Sequence, residues 1–355
     1  MDNVTKDKIN NRRRKHRVIK NVTVVVDVTL ITLLLLVVLV FGALFILLAG
    51  PSESATKLFA LSCNETSALK WVPGIFLSDE EYDAILNPNK AKDNNDEAVK
   101  DTFVPLPIAR TSDVANEDGF AENIDENLPE LEIKDIIGGT YKGKVMLVRN
   151  PKRVSVGSID AFGGVGLTML QFLEKYDAIA GTNAGGFVDE NGKGKGGIPD
   201  GIVINDGKIT YGGAGSFYKA VVGFTAEGML VVGNMSGQEA LNRGVVSGTS
   251  FENGPVLIEN GVRQTNFVSG INPRTCIGQT AEGTVILVVL EGRMADSLGA
   301  TFDDLCDIME EYGAINACNL DGGSSSGMYY EGERITRSSS VIGERPLPTA
   351  IIVSK

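Results

Sequence analysis

Apolar residues are distributed very unevenly along this chain. Residues 28–49 form a run of 22 uncharged positions dominated by Leu and Val. At helical rise that length crosses a bilayer core, and it exceeds the apolar stretch of an ordinary cleaved leader. Beyond it, Leu58, Leu61, Leu69 and Trp71 mark a helical segment leaving the membrane, and residues 79–86 form a short acidic helix. Residues 87–135 are rich in Asn, Asp, Glu and Pro with few large apolar side chains, so they are expected to form an irregular acidic arm.

From Ile136 onward the pattern changes. Short apolar runs recur between glycine-rich turns, at 145–148, 178–180, 202–204, 220–224, 229–232, 256–258, 285–290 and 350–353. Each has the length and punctuation of a strand. Helical periodicity is confined to 167–176 and 301–312. In the second, Thr301 is placed as N-cap, Asp303 and Asp304 fall in the first turn, and Gly313 ends the helix. The expected fold class is α+β, a mixed β-sheet domain with few helices, preceded by one transmembrane helix and the arm. The organisation is then a basic tail at 1–21, a transmembrane helix at 22–49, an arm at 50–135 and a sheet-rich domain at 136–355.

Charge divides at the same place. The first twenty residues carry eight Lys/Arg and two Asp, whereas residues 28–355 carry 25 basic and 42 acidic side chains. The positive-inside rule keeps the basic tail in the cytoplasm. The expected location is the cell membrane, single-pass, with the C-terminal domain outside. An acidic outer domain repels phosphate polymers, so no nucleic-acid partner is expected. The only histidine, His16, lies in the tail. Outer chemistry therefore has no histidine triad and no histidine-ligated metal, and neither a metal nor an organic cofactor is expected. The four cysteines lack paired spacing; Cys306 and Cys318 are open to two readings, a disulfide or two buried thiols.

Four polar clusters stand at predicted strand ends. The most informative is Asn319-Leu320-Asp321-Gly322-Gly323-Ser324, where an apolar run delivers one acid into a Gly–Ser turn. Gly322 and Gly323 permit close approach of substrate, and Ser324 with free N–H groups can hold an anion. Thr182-Asn183-Ala184-Gly185-Gly186-Phe187 offers Asn183 to a sugar hydroxyl beside two permissive glycines, or else an Asx-type turn. Asn272-Pro273-Arg274 and Glu291-Gly292-Arg293 each bring an arginine suited to a phosphate clamp, or a surface or ion-paired side chain. Two carboxylates, two arginines and an amide without histidine suit cleavage of an acetal bond beside an anionic leaving group.

These motifs, in this order and followed by Gly327-Met328, resemble the phosphodiester glycosidase family over roughly residues 136–355. The resemblance implies an α+β fold and hydrolysis of a sugar-1-phosphodiester, with Asn183, Arg274, Arg293 and Asp321 at the family's polar positions. Ala184 stands where the family commonly has glycine, and Glu291 where it has aspartate. The expectation is thus an extracytoplasmic hydrolase in which Asp321 and Glu291 are catalytic. Asn183, Gly185, Gly186, Arg274, Arg293, Gly322, Gly323 and Ser324 are expected to bind a phosphodiester-linked sugar or glycopolymer. The rival is a non-catalytic protein that binds anionic cell-envelope glycopolymer. Residues 189–200 space Asp189, Asn191 and Asp200 like a calcium loop, but Lys193 and Lys195 oppose a cation and no closing glutamate follows.

Overall fold

A computed structural model of the chain describes residues 3–66, 68–88, 129–189, 194–340 and 343–355, with the backbone alone for 3–19. Most of the expected acidic arm lies outside the described residues. Helix α1 (Asn3–Ala49) contains one segment, Lys20–Ala49, that is long and apolar enough to cross a membrane, with a mean hydropathy of 3.2. Helix α2 (Glu53–Asn64) follows after a turn, with Ser52 accepting a hydrogen bond from the Ala55 N–H at its N-terminus. A single 3-10 turn (Pro73–Ile75) leads to α3 (Asp79–Leu86), which is closed by a reciprocal Ser78–Glu81 capping box. Leu48 at the end of α1 packs with Ala60, Cys63 and Val72, and the Phe76 ring lies 5.0 Å from that of Phe41.

The remainder is three sheets. The largest has seven strands in the order β1 (Leu131–Ile137), β2 (Lys142–Val148), β13 (Val285–Leu290), β12 (Arg274–Thr280), β14 (Ala314–Asn319), β10 (Val256–Glu259) and β11 (Val262–Arg263). A second holds β16 (Glu333–Arg334), β15 (Met328–Tyr330), β4 (Ala178–Asn183), β17 (Thr349–Ser354) and β3 (Val154–Ser158). The third holds β6 (Lys208–Tyr211), β5 (Val203–Asn205), β9 (Val245–Ser250), β7 (Phe217–Thr225) and β8 (Leu230–Ser236). Among the described residues of the domain three short α-helices complete it: α4 (Met169–Lys175), α5 (Gly237–Asn242) and α6 (Phe302–Glu311).

The α+β class is as expected. The strand–helix–strand crossover is also present: β13, α6 and β14 run in succession, and β13 and β14 point the same way. However, β12 lies between them and pairs antiparallel with both, so each neighbouring pair in this sheet is antiparallel. Strand β1 begins at Leu131, inside the stretch expected to be arm, and pairs with β2 along its whole length. Its exposed Lys134 and Asp135 gave it the polarity of an edge strand rather than of a core strand.

Strand β13 explains the layering. All six of its side chains are buried; Val285, Leu287 and Val289 face the core shared by the three sheets, while Ile286, Val288 and Leu290 face α6. A strand covered on both faces is apolar at every position rather than at every second one. Helix α6 meets it with Phe302, Leu305, Ile308 and Met309, starting at the Thr301 cap with Asp304 closing the box. Cys63, Cys276, Cys306 and Cys318 are all buried free thiols, which decides the two readings of Cys306 and Cys318.

Candidate active site

The sheet register brings the strand-end clusters together. Because β12 is antiparallel to both neighbours, its first residue lies level with their last: Arg274 pairs with Leu290 of β13, and Cys276 with Asn319 of β14. Strand β4 of the second sheet ends at the same place. The Asn183 side chain donates to the Asp321 carbonyl at 2.6 Å, and the Asp321 N–H donates to the Ala184 carbonyl at 2.9 Å. Two sheets thus fix the backbone on both sides of Asp321.

A cleft of about 1040 Å³ opens over this junction, lined by Asp321 to Ser325, Arg274, Arg293, Asp189, Asp200 and Arg345 among others. Asp321 is half-buried at its floor. Loss of hydration raises its carboxyl to about 6, against hydrogen bonds from Ser325 and the Gly322 N–H and the field of Arg345. The Gly322 N–H meets Asp321 Oδ1 at 2.9 Å. The Gly323, Ser325 and Ser326 N–H groups donate to carbonyls of Pro273, Gly322 and Gly323. The turn expected to offer free N–H groups to an anion therefore spends these on holding its own shape. Gly323, at φ +62°, is the position that requires glycine, and an added Cβ would lie 3.2 Å from Arg293 Nη2.

The two arginines share the cleft through a chain of polar side chains. Arg293 Nη2 donates to Asn272 Oδ1 at 3.0 Å and to Thr66 Oγ1 at 2.7 Å. Asn272 Nδ2 donates to Glu65 Oε2 at 3.0 Å, and the same oxygen lies 2.7 Å from Arg274 Nη2. Arg274 is the buried member, 5% exposed, donating also to the Ala300 and Gly270 carbonyls and stacked over Phe302 at 4.1 Å. Arg293 is the exposed member beside Asp321. Burial, and for Arg293 also the charge of Arg274, lowers both guanidinium pKa values, while Glu65 opposes the shift.

Other expected site residues are placed differently. Asn183 is fully buried; besides Asp321 it accepts hydrogen bonds from Thr275 Oγ1 and the Gly327 N–H, so its amide holds the site together instead of facing the cleft. Gly185 and Gly186 are also buried. A Cβ on Gly185 would lie 2.3 Å from Thr249 Oγ1, and one on Gly186 would lie 2.7 Å from Asp200 Oδ2, so these glycines admit protein neighbours rather than substrate. Glu291 does not join the cleft lining. Its two carboxylate oxygens accept from the Arg337 N–H and Nε at 2.7 and 2.6 Å, and Arg337 continues to Asp296. The longer arm of glutamate at this position thus serves an ion-pair network.

Besides Asp321, the cleft carboxyl whose ionisation is raised is Asp200. Burial raises its ionisation to about 7, helped by the nearby charges of Glu252 and Asp321. In sequence it stands between Pro199 and Gly201 in a turn-like stretch, where a solvated acid is the ordinary reading. Asp189, weighed above as a calcium ligand, pairs through both oxygens with Arg345 at 2.7 Å each. Burial opposes its ionisation, but the hydrogen bonds from Arg345 and the Gly194 N–H outweigh that and hold the carboxyl below its ordinary value. Arg345 also stacks over Phe187 at 4.7 Å.

The α+β domain thus carries a cleft of acids and arginines where its strand ends converge. Residues 176–354 match the family profile described as phosphodiester glycosidase, and the chain belongs to that family. It is similar to the SPbeta prophage-derived uncharacterized protein YomE of Bacillus subtilis (strain 168), at 30% identity over 195 residues, covering 53% of this chain and 29% of that one. Mouse N-acetylglucosamine-1-phosphodiester alpha-N-acetylglucosaminidase is 28% identical over 144 residues, covering 36% and 28%. The chain therefore spans under a third of the length of these curated relatives. Among solved structures, the catalytic domain of the zebrafish N-acetylglucosamine-1-phosphodiester alpha-N-acetylglucosaminidase, auto-inhibited by its pro-peptide, superposes with a TM-score of 0.53 at 24% identity. It covers 65% of this chain and 85% of that one.

Proposed function

We propose that the cleft hydrolyses a sugar-1-phosphodiester outside the cytoplasm, releasing the sugar and leaving a phosphomonoester on a cell-envelope glycan or similar acceptor. The observation that carries this reading is Asp321. It is a rigidly held, half-buried acid beside Arg293 in a cleft large enough for a sugar phosphate. In the reaction the bond between the anomeric carbon and the phosphate oxygen breaks. Water supplies the hydroxyl to carbon and its proton to the departing phosphate. Arg293, backed by the buried Arg274, offsets the phosphate charge. Asp321, ionised above about pH 6, acts at the anomeric carbon as nucleophile or base. Asp200, protonated below about pH 7, is the partner that moves the proton. Two carboxyls whose ionisations are pushed up by burial, that of Asp200 also by the charges of Glu252 and Asp321, match such a division of labour.

The apolar segment Lys20–Ala49 and the basic residues before it support anchoring of this domain in a membrane, with the cleft on the outer side. The test is incubation of the full chain with the methyl diester of N-acetylglucosamine 1-phosphate, assaying free sugar and methyl phosphate. Release by the wild type, lost by a factor on the order of 10³ in a folded Asp321→Asn variant, is the expected result. Binding without release by both proteins would establish the glycopolymer-binding reading instead.

A further inference from the structure

One wall of the cleft comes from outside the sheets. Asn64, Glu65, Thr66, Ala68 and Lys70, all from the segment that follows the membrane-type helix, line it. This wall is pinned to the domain. Besides the Glu65 and Thr66 contacts with the arginines, the Gly270 N–H donates to Glu65 Oε1 at 2.7 Å and the Ile271 N–H to Ser62 Oγ at 2.9 Å. A Cβ on Gly270 would lie 2.2 Å from the Ser62 backbone nitrogen, so α2 and this loop meet at backbone distance.

The same segment is pinned to α1. Phe76 lies against both Phe41 and Phe45, with ring centroids 5.0 and 6.3 Å away, and Leu48 is enclosed by Ala60, Cys63 and Val72. A bilayer core takes about 20 helical residues, so a span beginning after Asp27 reaches its outer edge near residue 47. Phe41 and Phe45 then belong to the outer turns of the span, and Phe76 sits at their level.

What the segment leaves to solvent fits that depth. Leu69, Trp71 and Ile75 are 43%, 66% and 49% exposed, clustered in sequence next to the spanning helix. The Trp71 indole N–H is satisfied by the Ala68 carbonyl at 3.0 Å, leaving the ring's apolar body uncovered. A tryptophan with aliphatic neighbours at the end of a spanning helix is the composition of a membrane-interface belt. Lys70, between Leu69 and Trp71, lines the cleft itself and is of the sign that attracts a lipid phosphate.

We infer that the cleft is held at the outer membrane surface and takes a membrane-embedded substrate, a sugar joined through phosphate to a lipid alcohol. The inference rests on the hydrolase reading and names its substrate class. The bond broken is the one between the anomeric carbon and the phosphate oxygen. Water gives its hydroxyl to the sugar, which departs, and a proton to the lipid phosphate, which stays in the bilayer. The loop around Trp71 rests among the headgroups, and the rigid α2 wall sets the distance from them to Arg293 and Asp321.

Trp71 is the only tryptophan of the chain, so its fluorescence reports this loop alone. The full chain would be placed in phosphatidylcholine vesicles, some with lipids brominated near the headgroup end of the acyl chain. Blue-shifted emission quenched by bromine is expected. The same vesicles would be offered two diesters of N-acetylglucosamine 1-phosphate, one of methanol and one of a long-chain alcohol. The long-chain diester is expected to be cleaved with a kcat/KM higher by on the order of 10-fold or more, because anchoring beside the site raises its effective concentration. A Leu69→Ser, Ile75→Ser variant should lose that preference and keep its rate on the methyl diester. Water-like emission from Trp71, or equal rates on the two diesters, overturns the inference. Cleavage of neither diester, with Trp71 still quenched, overturns instead the hydrolase reading beneath it.

Discussion

Replacing Asp200 by Asn should stabilise the protein above neutral pH while impairing its turnover. Asp200 ionises at about 7 in the folded chain, against 3.8 for an unhindered aspartate. Burial and the facing charges of Glu252 and Asp321 make the folded state resist that ionisation. Each pH unit of displacement costs the folded state about 1.4 kcal/mol once the group is charged, which gives about 4 kcal/mol as an upper bound. Water in the open cleft screens part of this, so about 2 kcal/mol is the expected gain. The sign follows from linkage. Near pH 4 the folded acid is still protonated and the unfolded acid is only partly ionised, so the variant should exceed the wild type by no more than about 0.5 kcal/mol. As pH rises from 4 through 7, the unfolded chain sheds the proton readily and the folded chain does not. Wild-type stability falls relative to the variant throughout that window, and the gap is constant above about pH 8. Urea melts at pH 4, 6 and 8 measure this, and the hydrolase assay on the same samples reports the loss of the proton carrier. Equal stability of the two proteins at pH 8 would refute the reasoning, because Asp200 would then ionise without hindrance and could not serve as a proton carrier near neutrality.

Three further outcomes follow from the contacts. Glu65→Ala removes the counter-charge of the buried Arg274, and should lower stability by on the order of 3 kcal/mol, seen as a lower melting temperature and faster proteolysis between α2 and α3. Glu291→Gln should leave turnover within about threefold of wild type, since Glu291 serves Arg337 and lies outside the cleft lining; a loss comparable to Asp321→Asn would return Glu291 to the chemistry. Gly185→Ala forces a methyl group to within 2.3 Å of Thr249 Oγ1 and 2.7 Å of the Ser250 carbonyl, and should cost about 1–3 kcal/mol in a denaturant melt even though the residue does not line the cleft.

The elements visible in the sequence are those whose burial is expressed in apolar side chains. The eight expected strand runs fall on or against β2, β4, β5, β7, β8, β10, β13 and β17, and the Thr301 cap starts α6 as read. Strand β12, which carries Arg274, has no long apolar run to mark it. Its interior positions include Thr275 and Gln279, whose polar groups are satisfied by Asn183, by the Leu230 N–H and by the carbonyls of Gly228 and Gly283. A buried strand whose hydrogen bonds come from distant residues looks like a loop in one dimension. The same holds for the site. Asp321 and Arg293 stand out because glycine turns frame them locally. Asp200 and Arg345 acquire their character from Glu252, Asp321 and Asp189, partners that lie far away along the chain.

The four thiols have a practical consequence. Each lies inside the structure, and burial pushes the Cys306 thiol up to about 12 and raises those of Cys63, Cys276 and Cys318. Almost none of the reactive thiolate form is then present at neutral pH, so native cysteines stay silent toward maleimides as long as the fold holds. A cysteine introduced at an exposed position would be the single labelling handle on an otherwise unaltered chain. Conversely, the appearance of native thiol reactivity would itself time the opening of the core. Because no covalent crosslink joins these positions, reducing agents should leave the fold intact.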